Sequence, residues 1–590
     1  MTKCLRFITF LVLSLCMQQS LFAQFARSVG GTDADNGQAL AYDAAGNTYI
    51  IGDFRGKADF DPGPGTLYLK SSCPCDESNP LLPDIFFAKY SRNGALIWAR
   101  QVGGSGYDYG RGIGVDDAGN VYITGSFEST ADFDPGTGIS NLVAAGGKNI
   151  FLAKYTASGN YLWASNIGSG AWGEGNSLSV SNAGILTVAG YFNGTADFDP
   201  SAGIAAFNAG GFSDPFFARY TADGTYMWAK TITGSGESSG QHLYVDSAGA
   251  IYFTGNFYGT ADFNTGAGVF ELTGTNAKDA FYAKYTASGE FVWATRVGGN
   301  GDESGTAIIA DKAGNVYATG YYINEIDFDP GAGIFNMSSG IGAYNGYLLK
   351  LNKDGLFEWA NNIYSGQFNV GLSLSLDAQQ NVYATGYFSG TTSFSPATSI
   401  TSAGGTDIFI AVYKSTGALL NIFKEGGITN DWASAIAVDA KGFIYVTGYY
   451  TGAAQFTING AITTLTSAGN GDVYFLKAKR KSLQTAAVAA ATATDLMAGN
   501  SSNAGQTMLH QNIPNPAQSY TTVAYNLGTA AQVRLSLVDM NGKEVMVLKN
   551  AMQQKGLYTL QVNVGRLKSG IYIWRLAAGN EYFTKKLVVQ

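Results

Sequence analysis

ADFDPG, residues 131–136, recurs along the chain: as ADFDPG at 58–63, ADFDPS at 196–201, ADFNTG at 261–266 and IDFDPG at 326–331. Two worn copies, TSFSPA from Thr392 and AQFTIN from Ala454, complete a series of seven. The middle copies begin at 131, 196, 261 and 326, a step of 65 residues. A fixed period of that length marks a repeat architecture, in which one small unit cannot bury its apolar face alone and stacks on its neighbours.

Outward from the motif, the unit is clearest in Val102–Ser165. A Gly-rich turn (Gly103, Gly104, Ser105, Gly106) precedes a strand at Gly112–Val115, a turn at Asp117–Asn120 and a strand at Val121–Phe127. After ADFDPG come a strand at Ile150–Tyr155, a turn at Ala157–Asn160 and a strand at Tyr161–Ser165. Short runs of Val, Ile, Tyr, Phe and Trp bounded by Gly and Asn read as strands. Four antiparallel strands per repeat predict a propeller blade, so the fold class is all-β, a seven-bladed β-propeller.

Single residues check the register. Trp98, Trp163, Trp228, Trp293 and Trp359 fall in the fourth strand, and Asn421 stands where the next is due. One Trp per blade predicts inter-blade core rather than a ligand platform. Asp43, Asp116, Ser181, Asp246, Asp311, Asp377 and Asp439 end the first strand seven times. The seventh copy runs through Val473–Lys479 and lacks a fourth strand, while QFARSVGG at 24–31 matches LIWARQVGG at 96–104. The N-terminal strand is therefore expected to close the last blade, which leaves no open sheet edge.

Composition narrows the function. With 78 Gly, 13% aromatic residues and 14% charged residues at a net −8, the chain lacks the clustered basic face that a nucleic-acid backbone requires. Residues 1–23 carry Lys3 and Arg6, a short apolar run and Ala23, the pattern of a signal peptide and too short to span a membrane. Beyond it no stretch is apolar enough to do so, and the protein is read as secreted through the periplasm, not integral to a membrane. Cys73 and Cys75, in CPC, sit in an insertion of the first repeat and are read as a loop staple or idle thiols; their redox state stays open. The propeller is assigned to residues 24–481, an Ala/Thr/Ser-rich linker to 482–509 and a small β-sandwich to 510–590.

The phrase GNVYITGSF at 119–127, with GNVYATGYY from Gly314 and GFIYVTGYY from Gly442, resembles the SBBP (seven-bladed β-propeller) repeat family. That resemblance implies the fold and little about activity. The last block resembles the type A C-terminal sorting domain of the type IX secretion system. It does so through NPA at 515–517, VRLSLVDMNGKEV at 533–545, GLY at 556–558, LKSGIYIWRL at 567–576 and KKLVV at 585–589. The residues matched are Asn515, Pro516, Gly542, Gly556, Gly570, Tyr572, Lys585 and Lys586. The resemblance implies partners, the translocon and its C-terminal signal peptidase, and a final location at the outer cell surface or in the medium.

Two binding chemistries suggest themselves. The pairs Asp59/Asp61, Asp132/Asp134, Asp197/Asp199 and Asp327/Asp329, with Asp262, could supply oxygens to Ca²⁺, the one candidate cofactor. The alternative is that Asp in DPG makes the turn, its carboxylate bonding the backbone two residues on. Strand alternation places the ADFDPG tips at the same end as the Gly-rich turns, where Tyr107, Tyr109, Trp172, Phe368 and Trp432 offer flat rings to a glycan or a surface protein. With two His, His242 and His510, and no phosphate loop or metal-ligand cluster, the chain is read as a binding module and not an enzyme. A secreted carbohydrate-active enzyme, a glycan hydrolase or lyase using the same face, is the competing class.

Overall fold

The computed structural model describes residues 24–72, 82–169, 172–331, 333–340, 342–365, 367–396, 398–480, 507–509, 512, 517, 520–540, 542–565 and 567–589. Residues 1–23, the Cys73–Cys75 insertion, most of the linker, and Asn515 and Pro516 lie outside them. Every regular element among the described residues longer than a turn is a β-strand, and the chain divides into two compact units, the repeat array and the C-terminal block.

In the array, each repeat supplies an antiparallel four-stranded module. Module 1 comprises Asn36–Tyr42, Thr48–Phe54, Asp84–Tyr90 and Leu96–Gly104, paired in that order. In module 2 the second and third strands, Val121–Asp132 and Asn141–Tyr155, run on into the ADFDPG excursion, longer than the sequence implied. Module 7 comprises Asp431–Val438, Phe443–Tyr450 and Asp472–Lys479, and its fourth strand is Phe25–Gly31, with Phe25 opposite Lys477 and Val29 opposite Val473. The first strand of each module packs on that of the next, and the first strand of module 7 on that of module 1.

Two repeated devices hold the modules. The hairpin between first and second strands is capped by its acid: Asp116 Oδ1 accepts the Asn120 amide at 2.8 Å, and Oδ2 accepts Asn120 Nδ2 at 2.8 Å and the Tyr122 hydroxyl at 3.0 Å. The fourth-strand Trp packs across the boundary. Trp98 Nε1 donates to the Ala157 carbonyl of the next module at 3.1 Å, and its ring lies under Gly159, whose φ of +76° puts a residue without Cβ there. Gly224, Gly289, Gly355 and Gly417 lie over Trp163, Trp228, Trp293 and Trp359 in the same way, which makes the Trp series inter-module core.

The C-terminal unit is a sandwich of a three-stranded sheet (Met508–Leu509, Tyr520–Leu527, Gly556–Asn563) and a four-stranded sheet in the order Glu544–Gln553, Ala531–Asp539, Gly570–Ala578, Glu581–Val589. Its core includes Val523, Leu535, Leu537, Trp574, Leu576 and Leu587. Gly542, at φ +80°, closes the turn that Asp539 caps through the Lys543 amide. Gly556 opposes Leu527, Gly570 opposes Val589, and the Tyr572 hydroxyl donates to the Lys568 carbonyl at 2.9 Å. Lys585 and Lys586 stand exposed on the last strand, opposite Trp574 and Ile573.

Candidate functional site

The ADFDPG hairpin lies differently from the expectation. Its base pairs with the preceding module: Gly103 opposes Asp132 and Gly104 opposes Ala131, as Gly30 and Gly31 oppose Asp59 and Ala58. From there it runs back along the outer strand, and its tip reaches the turn between third and fourth strands. A cavity of about 290 Å³ there is lined by Arg100, Asp134, Pro135, Gly136, Gly159, Asn160 and Tyr161. The tip is therefore at the end opposite the Gly-rich turns. The cause is Phe133, fully buried, whose carbonyl accepts the Tyr155 hydroxyl at 3.0 Å and so draws the hairpin flat onto the module.

The acids of the motif build that hairpin. Asp132 Oδ1 accepts the amides of Asp134 at 3.0 Å and Ser140 at 2.8 Å, and Asp134 Oδ1 accepts the Gly136 amide at 2.9 Å. Asp59, Asp197, Asp262 and Asp327 repeat the first arrangement, and Asp61, Asp199 and Asp329 the second. In the fourth copy Asn264 stands in the place of Asp134 and accepts the Gly266 amide at 3.0 Å, so the bond needs the oxygen and not the charge. Among the described residues, no group of three or more His, Cys, Asp or Glu is placed to hold a metal ion.

A second set of acids is buried at the module boundaries. Asp35 Oδ2 accepts the Gly31 amide at 2.6 Å, Asp108 Oδ2 that of Gly104 at 2.7 Å, Glu303 Oε2 that of Gly299 at 2.9 Å and Asp431 Oδ2 that of Gly427 at 2.6 Å. Each faces an acid on a third strand, Asp472, Asp84, Asp279 and Asp407 respectively; the first, second and third of these begin their strands, and Asp407 lies within Thr398–Tyr413. A Cβ on Gly30 would fall 2.8 Å from Asp35 Oδ2 and 2.7 Å from Asp472 Cγ, so only Gly passes between the two. Burial, with the neighbouring acid adding to it, pushes Asp35 up to about 8, Glu303 to about 8 and Asp431 to about 7. Burial also raises Asp84, Asp407 and Asp472 to about 6. Asn149 and Asn345 occupy the third-strand position in modules 2 and 5. Acids that recur at equivalent places belong to the frame.

Departures from the repeat collect at the other end, around the turns joining fourth to first strands. Each first strand carries a bulge at the same place, whose extra residue is Gln38, Arg111, Asn176, Gln241, Thr306, Leu372 or Ser434. Bulges of this kind re-aim a side chain. The aromatic residues here form two groups. In modules 5 to 7, Tyr344 stacks on Phe368 (5.7 Å, 25°) and Tyr387 on Trp432 (5.1 Å, 26°), with Phe368 55% and Trp432 40% exposed. Trp432 Nε1 donates to Thr406 Oγ1 at 2.7 Å. In modules 2 and 3, Tyr107 stacks on Tyr109 (6.3 Å, 19°), and Trp172 meets Tyr191 and Phe212 edge to face. Tyr107, Tyr109, Trp172 and Trp432 thus share this end as the sequence suggested, in two patches. Tyr191, Tyr344, Tyr387, Arg111 and Lys148 went unread, although aligning the seven copies exposes them as non-repeating positions. His242 accepts the Ile308 amide through Nδ1 at 3.4 Å, and the packing around its ring holds the imidazole down at about 4.

These features define an all-β repeat protein with a separate C-terminal β-sandwich. Residues 512–590 match the family model "Secretion system C-terminal sorting domain", and residues 97–126 match "Beta-propeller repeat". The chain thus carries an SBBP repeat and the sorting tail of a type IX cargo protein, exported to the cell surface or the medium, and the tail implies interaction with that secretion system. Among curated proteins it is 23% identical over 509 residues to an uncharacterized WD repeat-containing protein of Acanthamoeba polyphaga mimivirus, covering 72% of this chain and 36% of that relative. Among solved structures it is similar to PorZ, described as an essential bacterial surface component of the type-IX secretion system of Porphyromonas gingivalis. That similarity has 12% identity, 96% and 100% coverage and a TM-score of 0.17. Dimeric latent PorU from the same organism gives 9% identity, 64% and 31% coverage and a TM-score of 0.13. Superpositions this weak carry no argument. Among the described residues no helix is long and apolar enough to cross a membrane.

Proposed function

We propose that the seven modules close into one seven-bladed β-propeller and that the end bearing the fourth-to-first turns is a binding surface. The chain would then be an exported binding module that reaches the outer surface through the periplasm. Pairing of Phe25–Gly31 with Asp472–Lys479, and packing of the first and last innermost strands, support closure. One observation carries the binding role: residues of the frame repeat in nearly every copy, whereas the bulged positions and stacked rings at this one end differ from copy to copy. Repetition serves packing, and asymmetry serves a ligand. The tail would engage the translocon and its C-terminal signal peptidase.

A carbohydrate-active enzyme would gather unlike polar groups in one or two modules, and the boundary of modules 2 and 3 does so around Glu174. Both Glu174 oxygens are engaged by cations, however: Arg111 Nε at 2.5 Å and Lys148 Nζ at 2.8 Å. Although burial opposes ionisation, those two cations hold the carboxyl down at about 2, where it serves as an ion-pair partner and not as a proton donor. Binding is the better reading. A glycan array and a surface pull-down with the purified chain test it, compared with Phe368→Ala and Trp432→Ala. Retention lost in these variants at unchanged melting temperature is expected, and no retained ligand in either assay would overturn the role.

A further inference from the structure

The patch on modules 2 and 3 differs from the rest of this end in charge. Arg111 and Lys148 converge on Glu174, whose Oε2 also accepts the Tyr191 hydroxyl at 3.0 Å. Glu174 therefore answers two cations at once, and Asp53, which also favours the Arg111 charge, is shared with Arg55, so the cluster keeps one more cation than acids in a chain of net charge −8. Elsewhere on this end the pairing of Lys278 with Glu237 is one to one. The Arg111 side chain is 28% exposed, and its two terminal nitrogens bond to no other described residue. The rings are arranged around these cations: Arg111 lies over Tyr109 at 5.0 Å, and Lys148 over Trp172 at 5.6 Å and Tyr109 at 5.9 Å. Edge contacts from Tyr191 and Phe212 hold the indole plane, and Phe212 is itself 56% exposed.

We propose that Arg111, Lys148, Tyr109 and Trp172 form a binding site for an acidic sugar, a uronate unit of a glycan. This deepens the binding-module reading above and rests on it. A pyranose offers an apolar C–H face to a flat ring, and a uronate adds a carboxylate at the ring edge. A guanidinium with a free planar fork takes that carboxylate by two parallel bonds, and Lys148 adds a second charge beside it. An acidic peptide would satisfy the cations but has no use for fixed rings, and a neutral glycan would leave the excess positive charge without a partner.

The test is calorimetric titration of the full chain with oligogalacturonate, with a neutral gluco-oligosaccharide of equal length, and with polyglutamate. Oligogalacturonate is expected to bind best, its affinity falling with salt. Arg111→Gln and Lys148→Gln should each weaken it about tenfold or more, since a bond to a charged group is lost. Lys353→Gln, on the exposed third-to-fourth turn at the opposite end, should leave it unchanged. The melting temperature of each variant separates lost binding from lost folding, and Lys148→Gln remains informative should Arg111→Gln not fold. Failure of oligogalacturonate to bind, equal binding of polyglutamate, or uronate binding indifferent to both substitutions would overturn the proposal. Neutral-glycan binding sensitive to Trp432→Ala alone would overturn it while leaving the binding-module reading standing.

Discussion

Phe25 lies under Gly94 as Trp98 lies under Gly159. A Cβ placed on Gly94 would fall 2.9 Å from Phe25 Cδ2, and one on Gly159 3.1 Å from Trp98 Cδ2, both glycines having φ near +80° (+79° and +76°). The first described strand of the chain thus takes toward module 1 the position that a fourth-strand Trp takes toward the module after it. Phe25→Ala should cost about 3–5 kcal/mol, as for other buried Phe, measured by chemical denaturation of the array. Removing residues 24–31 should bare the edge of Asp472–Lys479 and produce concentration-dependent association in sedimentation. A monomer of unchanged stability would contradict the closing role.

The ADFDPG acids act through hydrogen-bond geometry. Asp134→Asn should leave stability nearly unchanged, because Asn264 already makes the same bond, whereas Asp134→Ala should cost about 0.5–1.5 kcal/mol. Asp132→Ala, which releases two amides, should cost more. Calcium at millimolar concentration is expected to leave the melting temperature of all three unchanged, and a calcium-dependent rise in the wild type would return these acids to a metal role.

Stability should fall as pH rises. Asp35, Glu303 and Asp431, with Asp84, Asp407 and Asp472, have folded-state values of about 6 to 8, above their ordinary 3.8 to 4.5. The folded chain therefore holds more protons in that window, and stability present below about pH 4 is lost through pH 6 to 8. Glu174, held at about 2, contributes the opposite slope, confined to acid below its ordinary 4.5. The melting temperature should be higher at pH 5.5 than at pH 8.5. Asp84→Asn and Asp472→Asn, which install the residue that modules 2 and 5 use at that position, should flatten the difference. A melting temperature that rises with pH would refute the assignment.

Export is expected to require the C-terminal sandwich, the block that matches the sorting-domain family. A chain lacking residues 510–590, expressed in a cell with a type IX system, should remain inside, whereas the full chain reaches the surface or medium. Fractionation followed by immunoblotting reads the outcome, and unaltered export would remove the sorting role.

The period of 65, the recurrent Trp and Asp, and the match of residues 24–31 to 96–104 make the modules and the strand that completes module 7 legible along the chain. They do so because each copy must solve the same packing problem with the same residues. The sorting domain is legible for a similar reason, since its turn glycines and core strands occur in order. The lie of the ADFDPG hairpin is not. Its direction comes from Phe133 entering the core and from Gly103 and Gly104 of the preceding module, contacts distant in sequence that no local pattern encodes. The opposed carboxylates Asp35 and Asp472 are farther apart still, and only the folded array brings them to either side of Gly30 and excludes water from them. What repeats, and therefore what packs, is written along the chain. Which non-repeating residues meet at one end, Arg111, Lys148 and Trp172 among them, follows from folding alone, because that meeting depends on modules placed side by side.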